Sequence, residues 1–192
     1  MGRVVVTEFL SVDGVVEAPG GADFRYPNWS FAFDRGPEGE RYKEEEALAS
    51  AALLLGRATY DGFAAAWPHY EGELADKYNG MPKYVVSSTL SDPAWNNTTV
   101  LTGDLAEEVE RLRERIDGDI SVAGSITLVQ SLLALDLVDE VHLMQFPVIL
   151  GYGKRLWGET PDKTDWDLIT TTRYGDGVLV TELRRRRIGR GR

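Results

Sequence analysis

Residues Arg3 to Leu10 are rich in β-branched side chains and run into Ser11-Val12-Asp13-Gly14, a turn pattern, so the chain opens with a strand feeding a loop. From Asp13 to about Gly39 the loop holds Pro19, Gly20, Gly21, Pro27, Gly36 and Pro37 among the aromatics Phe24, Tyr26, Trp29, Phe31 and Phe33. That density of aromatics argues against disorder and leaves two readings open. The loop lines or covers a site, or it is pinned to the surface by its own rings.

A helix is predicted from Glu38 to about Ala51, acidic at its start, followed by a buried strand at Ala52 to Gly56 and a second helix from Arg57 to Ala66 that closes at Trp67-Pro68. An unassigned stretch leads to a strand at Lys83 to Ser88 and another at Thr98 to Leu101. Asp104 with Glu107 three residues on forms a capping box, and Leu105, Val109, Leu112 and Ile116 recur at helical spacing. Ile120 to Gly124 returns as a strand, Ser125 to Leu137 as an apolar helix, and Asp139 to Leu150 contains a further strand. Trp166 to Arg173 and Gly177 to Arg184 flank a Tyr-Gly-Asp-Gly turn and read as an antiparallel hairpin. Strands and helices alternate, then strands stand alone. The order predicts an α/β fold with a mainly parallel sheet and an antiparallel C-terminal hairpin. With no internal repeat or linker, 192 residues make one domain.

Charge changes the picture. Of 21 basic residues, six (Arg184, Arg185, Arg186, Arg187, Arg190 and Arg192) stand in the last nine positions, so residues 1–183 carry 15 basic against 31 acidic residues, near -16. Such a body, with its basic residues scattered, disfavours nucleic acid and anionic membrane surfaces. The absence of cysteine excludes disulfides, thiol catalysis and Cys-ligated metals. His69 and His142 are too few for a His-based metal site. No signal-peptide pattern or long apolar run is present, so a cytoplasmic protein is expected.

Gly56-Arg57-Ala58-Thr59 stands where a buried strand meets a helix, a place that offers unpaired amides to an anion. Arg57 is badly placed beside the positive end of a helix dipole unless an anion is present. Ala123-Gly124-Ser125 repeats the arrangement, with Ser125 as helix cap. Two such junctions in one parallel sheet suit a ligand with more than one phosphate. Ser87, Ser88 and Thr89 add hydroxyls between them, for phosphate or ribose or for local turn bonds. Asp13 is the carboxylate most readily placed near a substrate, although a tight Asp-Gly turn explains it equally well. Gly151 to Leu156 half-matches Gly-x-Gly-x-x-Gly but lacks the third glycine and a following helix, which disfavours a Rossmann dehydrogenase.

In order and spacing, Ser11-x-Asp13-Gly14, Gly56-Arg57-x-Thr59, Lys83-x-Val-x-Ser87, Val122-Ala-Gly124-Ser125, Leu137-Val-Asp139-Glu140 and Pro147-Val-Ile-Leu-Gly151-x-Gly153 resemble the dihydrofolate-reductase-like superfamily. Within it they are most similar to the reductase domain of the riboflavin-pathway deaminase-reductase and its stand-alone bacterial relatives. The resemblance covers residues 3–183 and implies a three-layer α/β/α domain at 1–183, with 184–192 as an Arg-rich tail. It further implies an NADPH-dependent reductase, often a homodimer, acting on a small pyrimidine- or pterin-like heterocycle. By this likeness Gly56, Arg57 and Thr59 meet the 2′-phosphate and neighbouring phosphates, and Ser87 and Ser88 flank the adenosine ribose. Gly124, Ser125, Ile126 and Thr127 lie beneath the pyrophosphate, and Asp13 and Gly14 lie near the nicotinamide and the reducible ring, with the proton for the reduced position expected from Asp13, the candidate catalytic residue, or from water. Asp34 is the nearest counterpart of a substrate-gripping carboxylate. A dihydrofolate reductase proper, an NADPH-binding module without turnover, and an interaction protein using its basic tail remain alternatives.

Overall fold

The computed structural model describes residues 1–21, 23–159 and 163–187. Eight strands form one sheet in the order β4-β3-β2-β5-β1-β6-β8-β7. They are β1 (Arg3–Ser11), β2 (Ala52–Gly56), β3 (Lys83–Val86), β4 (Thr98–Leu101), β5 (Asp119–Val122), β6 (Glu140–Phe146), β7 (Trp166–Tyr174) and β8 (Val178–Arg185). Pairing is parallel from β4 to β6, and antiparallel at β6–β8 and β7–β8. The helices are α1 (Gly36–Ala49), α2 (Arg57–Ala66), α3 (Glu73–Gly80), α4 (Leu105–Arg115) and α5 (Ile126–Ala134).

Side-chain alternation along the central strands sorts the core into two layers. Val4, Val6, Leu54, Val122 and Val141 face Val109 and Leu112 of α4 and Leu128, Val129 and Leu132 of α5. Leu53, Leu55 and Val85 face the other way, onto Tyr60 and Phe63 of α2, Tyr78 of α3, and Trp95. Both faces of β2 are therefore apolar, as its unbroken Ala-Leu-Leu-Leu run requires. The chain leaves β2 through α2 on one face and leaves β5 through α5 on the other, so the neighbouring carboxyl ends of β2 and β5 form a crevice where the connections diverge. Such a divergence is where open α/β sheets place their ligands.

Three expectations are corrected. The stretch before Met81 contains a helix, α3, whose start is unmarked because its N-cap is Gly72 with no capping side chain. The capping box of α4 is half made: Asp104 accepts from the Ala106 and Glu107 amides, while the Glu107 side chain turns to Arg111. The domain does not stop at residue 183, because β8 runs through Arg184 and Arg185. Arg184 bonds Glu140, Arg185 bonds Asp136, Arg186 pairs with Asp167 and Arg187 with Asp139. These arginines neutralise acids of the sheet edge. Arg190 and Arg192 lie outside the described residues. Among the described residues no helix is long and apolar enough to cross a membrane.

Candidate active site

The crevice is built on two glycines set back to back. The Gly56 amide donates to the Gly124 carbonyl at 3.1 Å, and a Cβ at Gly56 would lie 2.9 Å from the Ser125 amide nitrogen, so no other residue fits there. Gly124 has φ +104°, and a Cβ on it would stand 2.6 Å from Thr59 Oγ1 and 3.8 Å from Glu8 Oε1. The structure thus brings Gly56, Thr59, Gly124 and Ser125 together. Ile126 and Thr127 begin α5 directly behind them. Ser125 holds the N-cap position but makes no capping hydrogen bond, and Gly56 has no side chain with which to cap α2. The first amides of both helices therefore lack a side-chain acceptor, and the positive ends of two helix dipoles share one edge of the sheet.

Arg57 lies beside this pair of helix ends. Its Nε donates to both carboxylate oxygens of Asp61 at 2.8 Å, and Nη1 lies 3.4 Å from Thr89 Oγ1. The anion missing from the sequence argument is thus present one turn on. Ser87 accepts from the amides of Thr89 and Leu90, so its hydroxyl fixes a turn, while Ser88 is exposed. Arg57 and Thr89 together carry the basic edge over to the end of β3.

Asp13 is placed otherwise than a proton donor requires. Ser11 Oγ donates to Oδ1 at 2.7 Å, the Leu150 amide to Oδ1 at 3.1 Å and the Gly151 amide to Oδ2 at 2.9 Å, with Arg155 Nη2 3.4 Å from Oδ2. Burial opposes ionisation here, but the donors from Ser11, Leu150 and Gly151 outweigh it and pull the carboxyl down to about 2. An acid that weak in proton affinity is poorly matched to proton transfer near neutrality. Asp13 instead ties the turn after β1, including Gly14 at φ +79°, to the Leu150–Gly151 segment. Asp34 is corrected too. It accepts from the Gly36 amide at 2.7 Å at the start of α1 and takes no part in the crevice.

The aromatic loop is pinned in part by its own rings and in part lines a cavity. Trp29 is buried edge-on against Phe146 at 5.6 Å, and its indole nitrogen donates to the Glu17 carbonyl. Phe24 stacks on Tyr152 at 6.0 Å and helps to line an open cavity of about 560 Å³ with Glu17, Asp23 and Arg25.

Sequence reasoning missed the polar residues of β1 and their partners. On one face of β1, Thr7 meets Lys43 at 2.6 Å and Glu46 at 2.8 Å, and Glu46 Oε1 lies 2.7 Å from His142 Nδ1. Burial disfavours the Glu46 anion, yet Lys43 and His142 hold it down to about 2. Burial likewise disfavours protonated His142, but Glu46, Glu182 and Glu140 raise its proton affinity overall. Glu8 faces the opposite way, toward Gly124, and is 7% exposed. The available signal was a Thr-Glu pair inside a strand otherwise apolar on both faces.

Comparison with known proteins agrees with this architecture. A family profile described as the RibD C-terminal domain matches residues 3–180. The uncharacterized protein YyaP of Bacillus subtilis (strain 168) is 29% identical over 132 residues, covering 66% of this chain and 70% of that protein. A solved structure from Shewanella sp. PV-4, given a provisional place in riboflavin biosynthesis, superposes with a TM-score of 0.78 at 22% identity, over 96% of this chain and 99% of that one. Dihydrofolate reductase from Enterococcus faecalis, solved with NADP(H) and RAB-propyl, gives a TM-score of 0.64 at 13% identity, covering 96% and 97%. The fold is that of the dihydrofolate-reductase-like proteins.

Proposed function

The chain belongs to the RibD C-terminal domain family, and from that membership and the crevice we propose an NADPH-dependent reductase that transfers a hydride to a small pyrimidine- or pterin-like heterocycle. The observation that carries this reading is the meeting of two uncapped helix N-termini at Gly56 and Gly124 with Arg57 alongside. Phosphate oxygens suit such amides without any net positive field from the rest of the chain. NADPH, when bound, supplies the hydride.

In this reading Gly56, Thr59, Gly124, Ser125, Ile126 and Thr127 hold the diphosphate, Arg57 takes the 2′-phosphate, and Ser87 and Ser88 flank the adenosine ribose. Asp13 and Gly14 fix the loop at the end of β1 and move no proton. A homodimer forms part of the proposal, supported by exposed Leu168 and Ile169 on the outer strand β7; light scattering on the purified protein checks it.

The deciding experiment is a titration with NADPH and with NADH. The parent is expected to prefer NADPH. Arg57→Ala should weaken NADPH by roughly 10- to 150-fold, the worth of a charge-assisted hydrogen bond, and leave NADH within about threefold. Failure of the parent to bind NADPH overturns the cofactor assignment. An unchanged preference in Arg57→Ala removes Arg57 from it.

A further inference from the structure

Glu8 lies on the face of β1 that carries Val4, Val6 and Leu10 into the core. It is more than nine-tenths buried, its Oε1 is shut off from solvent, and that oxygen has no hydrogen-bond partner. Among the described residues no lysine or arginine forms an ion pair with it. Yet Oε1 comes within 3.8 Å of where a Cβ on Gly124 would stand, a point also 2.6 Å from Thr59 Oγ1. An unpartnered carboxyl oxygen therefore faces the place where α2 and α5 leave their helix ends unfilled. Burying such a group without a partner is unfavourable, and more so if it is ionised. Other buried or mostly buried ionisable side chains are bonded through at least one atom: Lys83, Glu140, Arg113 and His142 all have partners, although Arg113 Nε, His142 Nε2 and the Thr98 hydroxyl are themselves unpartnered.

We propose that Glu8 is a ligand-contacting residue of this crevice, its protonated carboxyl donating a hydrogen bond to an oxygen of the bound dinucleotide. The inference rests on the reading that the crevice takes NADPH. A neutral carboxyl can lie beside a polyanion and donate to it, whereas a carboxylate there would repel it. The surroundings favour the neutral form. Burial pushes Glu8 up to about 8, against the attraction of Lys43 on α1, which is itself paired with Glu46. From α2 the neighbour is Thr59, with Arg57 and Asp61 paired to each other and Tyr60 turned toward Trp95. Leu143 stands beside Glu8 on β6, and α5 carries no charged residue.

The test is the NADPH dissociation constant measured against pH in the parent, Glu8→Gln and Glu8→Ala, with calorimetry in buffers of different ionisation enthalpy to count protons. If only the protonated form binds, affinity in the parent falls about tenfold between about pH 7 and about pH 9, with proton uptake on binding above pH 8. Glu8→Gln, which keeps a donor of the same shape, should hold the parent's neutral-pH affinity within about threefold and lose the pH dependence, and Glu8→Ala should bind about tenfold more weakly than Glu8→Gln at all pH values. A Glu8→Gln protein that keeps the parent's slope overturns the proposal, as does a Glu8→Ala protein that binds as tightly as Glu8→Gln. Should Glu8→Ala fail to fold, the Gln profile decides alone. A parent that binds no NADPH at any pH overturns the cofactor reading and this proposal with it; a binding parent whose pH profile Glu8→Gln does not alter overturns this proposal alone.

Discussion

Two ionisable side chains are sealed into the sheet at opposite ends, and the fold treats them in opposite ways. Lys83, the first residue of β3, is fully buried, and its ammonium donates to the carbonyls of Tyr78 at 2.7 Å, Met81 at 2.8 Å and Asn79 at 3.2 Å, with the Trp95 ring centroid 4.4 Å away. These carbonyls are at the C-terminal end of α3 or just past it, where a cation complements the helix dipole. Glu8, toward the carboxyl end of β1, has none of this. A buried charge whose bonding positions are filled by the chain is a structural part. One left unfilled beside two open helix ends is arranged for something that the chain does not supply. The amino ends of the strands hold the domain together, and the carboxyl ends carry the candidate site.

The sharpest way to break that contrast is to remove the lysine. Lys83→Met keeps the apolar stem but strands three buried carbonyls, which should cost about 3 to 4 kcal/mol of stability, read from the denaturation midpoint. The folded protein should bind NADPH as the parent does, because the crevice lies at the other end of the sheet. A loss of affinity larger than the loss of folded protein would mean that the two ends are not independent.

The same comparison predicts an opposite result for Glu8. Its carboxyl, raised from 4.5 to about 8, keeps a proton in the folded chain that the unfolded chain has released. Stability contributed by this group therefore falls as pH rises from about 4.5 to about 8 and stays low above that. Glu8→Gln removes the penalty and leaves a buried amide in its place, for a net gain of about 2 kcal/mol at pH 8 that reverses to a net loss near pH 4.5, where the penalty is gone and the cost of the buried amide remains. Lys83 runs the other way: burial lowers it to about 8, so its unfolded form holds more protons between about 8 and 10.5, and stability from this group rises across that window. Thermal melts of the parent and Glu8→Gln across these two windows separate the groups. A Gln variant less stable than the parent at pH 8 would mean that Glu8 has a structural partner after all.

Most of the frame was legible because it is local. The run Ala52–Gly56 and the helix Arg57–Ala66 are fixed by an unbroken apolar stretch, a glycine and a closing Trp-Pro. What escaped depends on distant residues. Helix α3 is short and polar and lacks an N-cap side chain, and part of what fixes its last turn is Lys83, which follows it in the chain. The C-terminal arginines read as an Arg-rich tail outside the domain because their acids, Asp136, Asp139, Glu140 and Asp167, are spread over some thirty earlier residues and gather only when β8 pairs with β6 and β7. Asp13 was legible as a turn residue and also as an acid; the amides that decide between these belong to Leu150 and Gly151. Glu8 was legible in part, since a carboxylate in a strand apolar on both faces must be buried, but its lack of a partner is a fact of three dimensions.

The smallest effect concerns the other way in which a charge at the carboxyl edge can be engaged. Arg57 is not waiting unpaired, as Glu8 is; it is already bound to Asp61 four residues on, in a pair about half exposed at both ends. The pair is weak, because it is solvated and because a cation ahead of an anion along a helix opposes the dipole. Asp61 therefore competes with any phosphate that Arg57 meets and lowers its hold only slightly. Asp61→Asn should tighten NADPH about twofold and leave NADH unchanged, an effect that should fade as salt screens the exposed charges. Equal tightening of both cofactors would show that Asp61 acts on the shared diphosphate through its general negative field, with Arg57 not engaged by the 2′-phosphate.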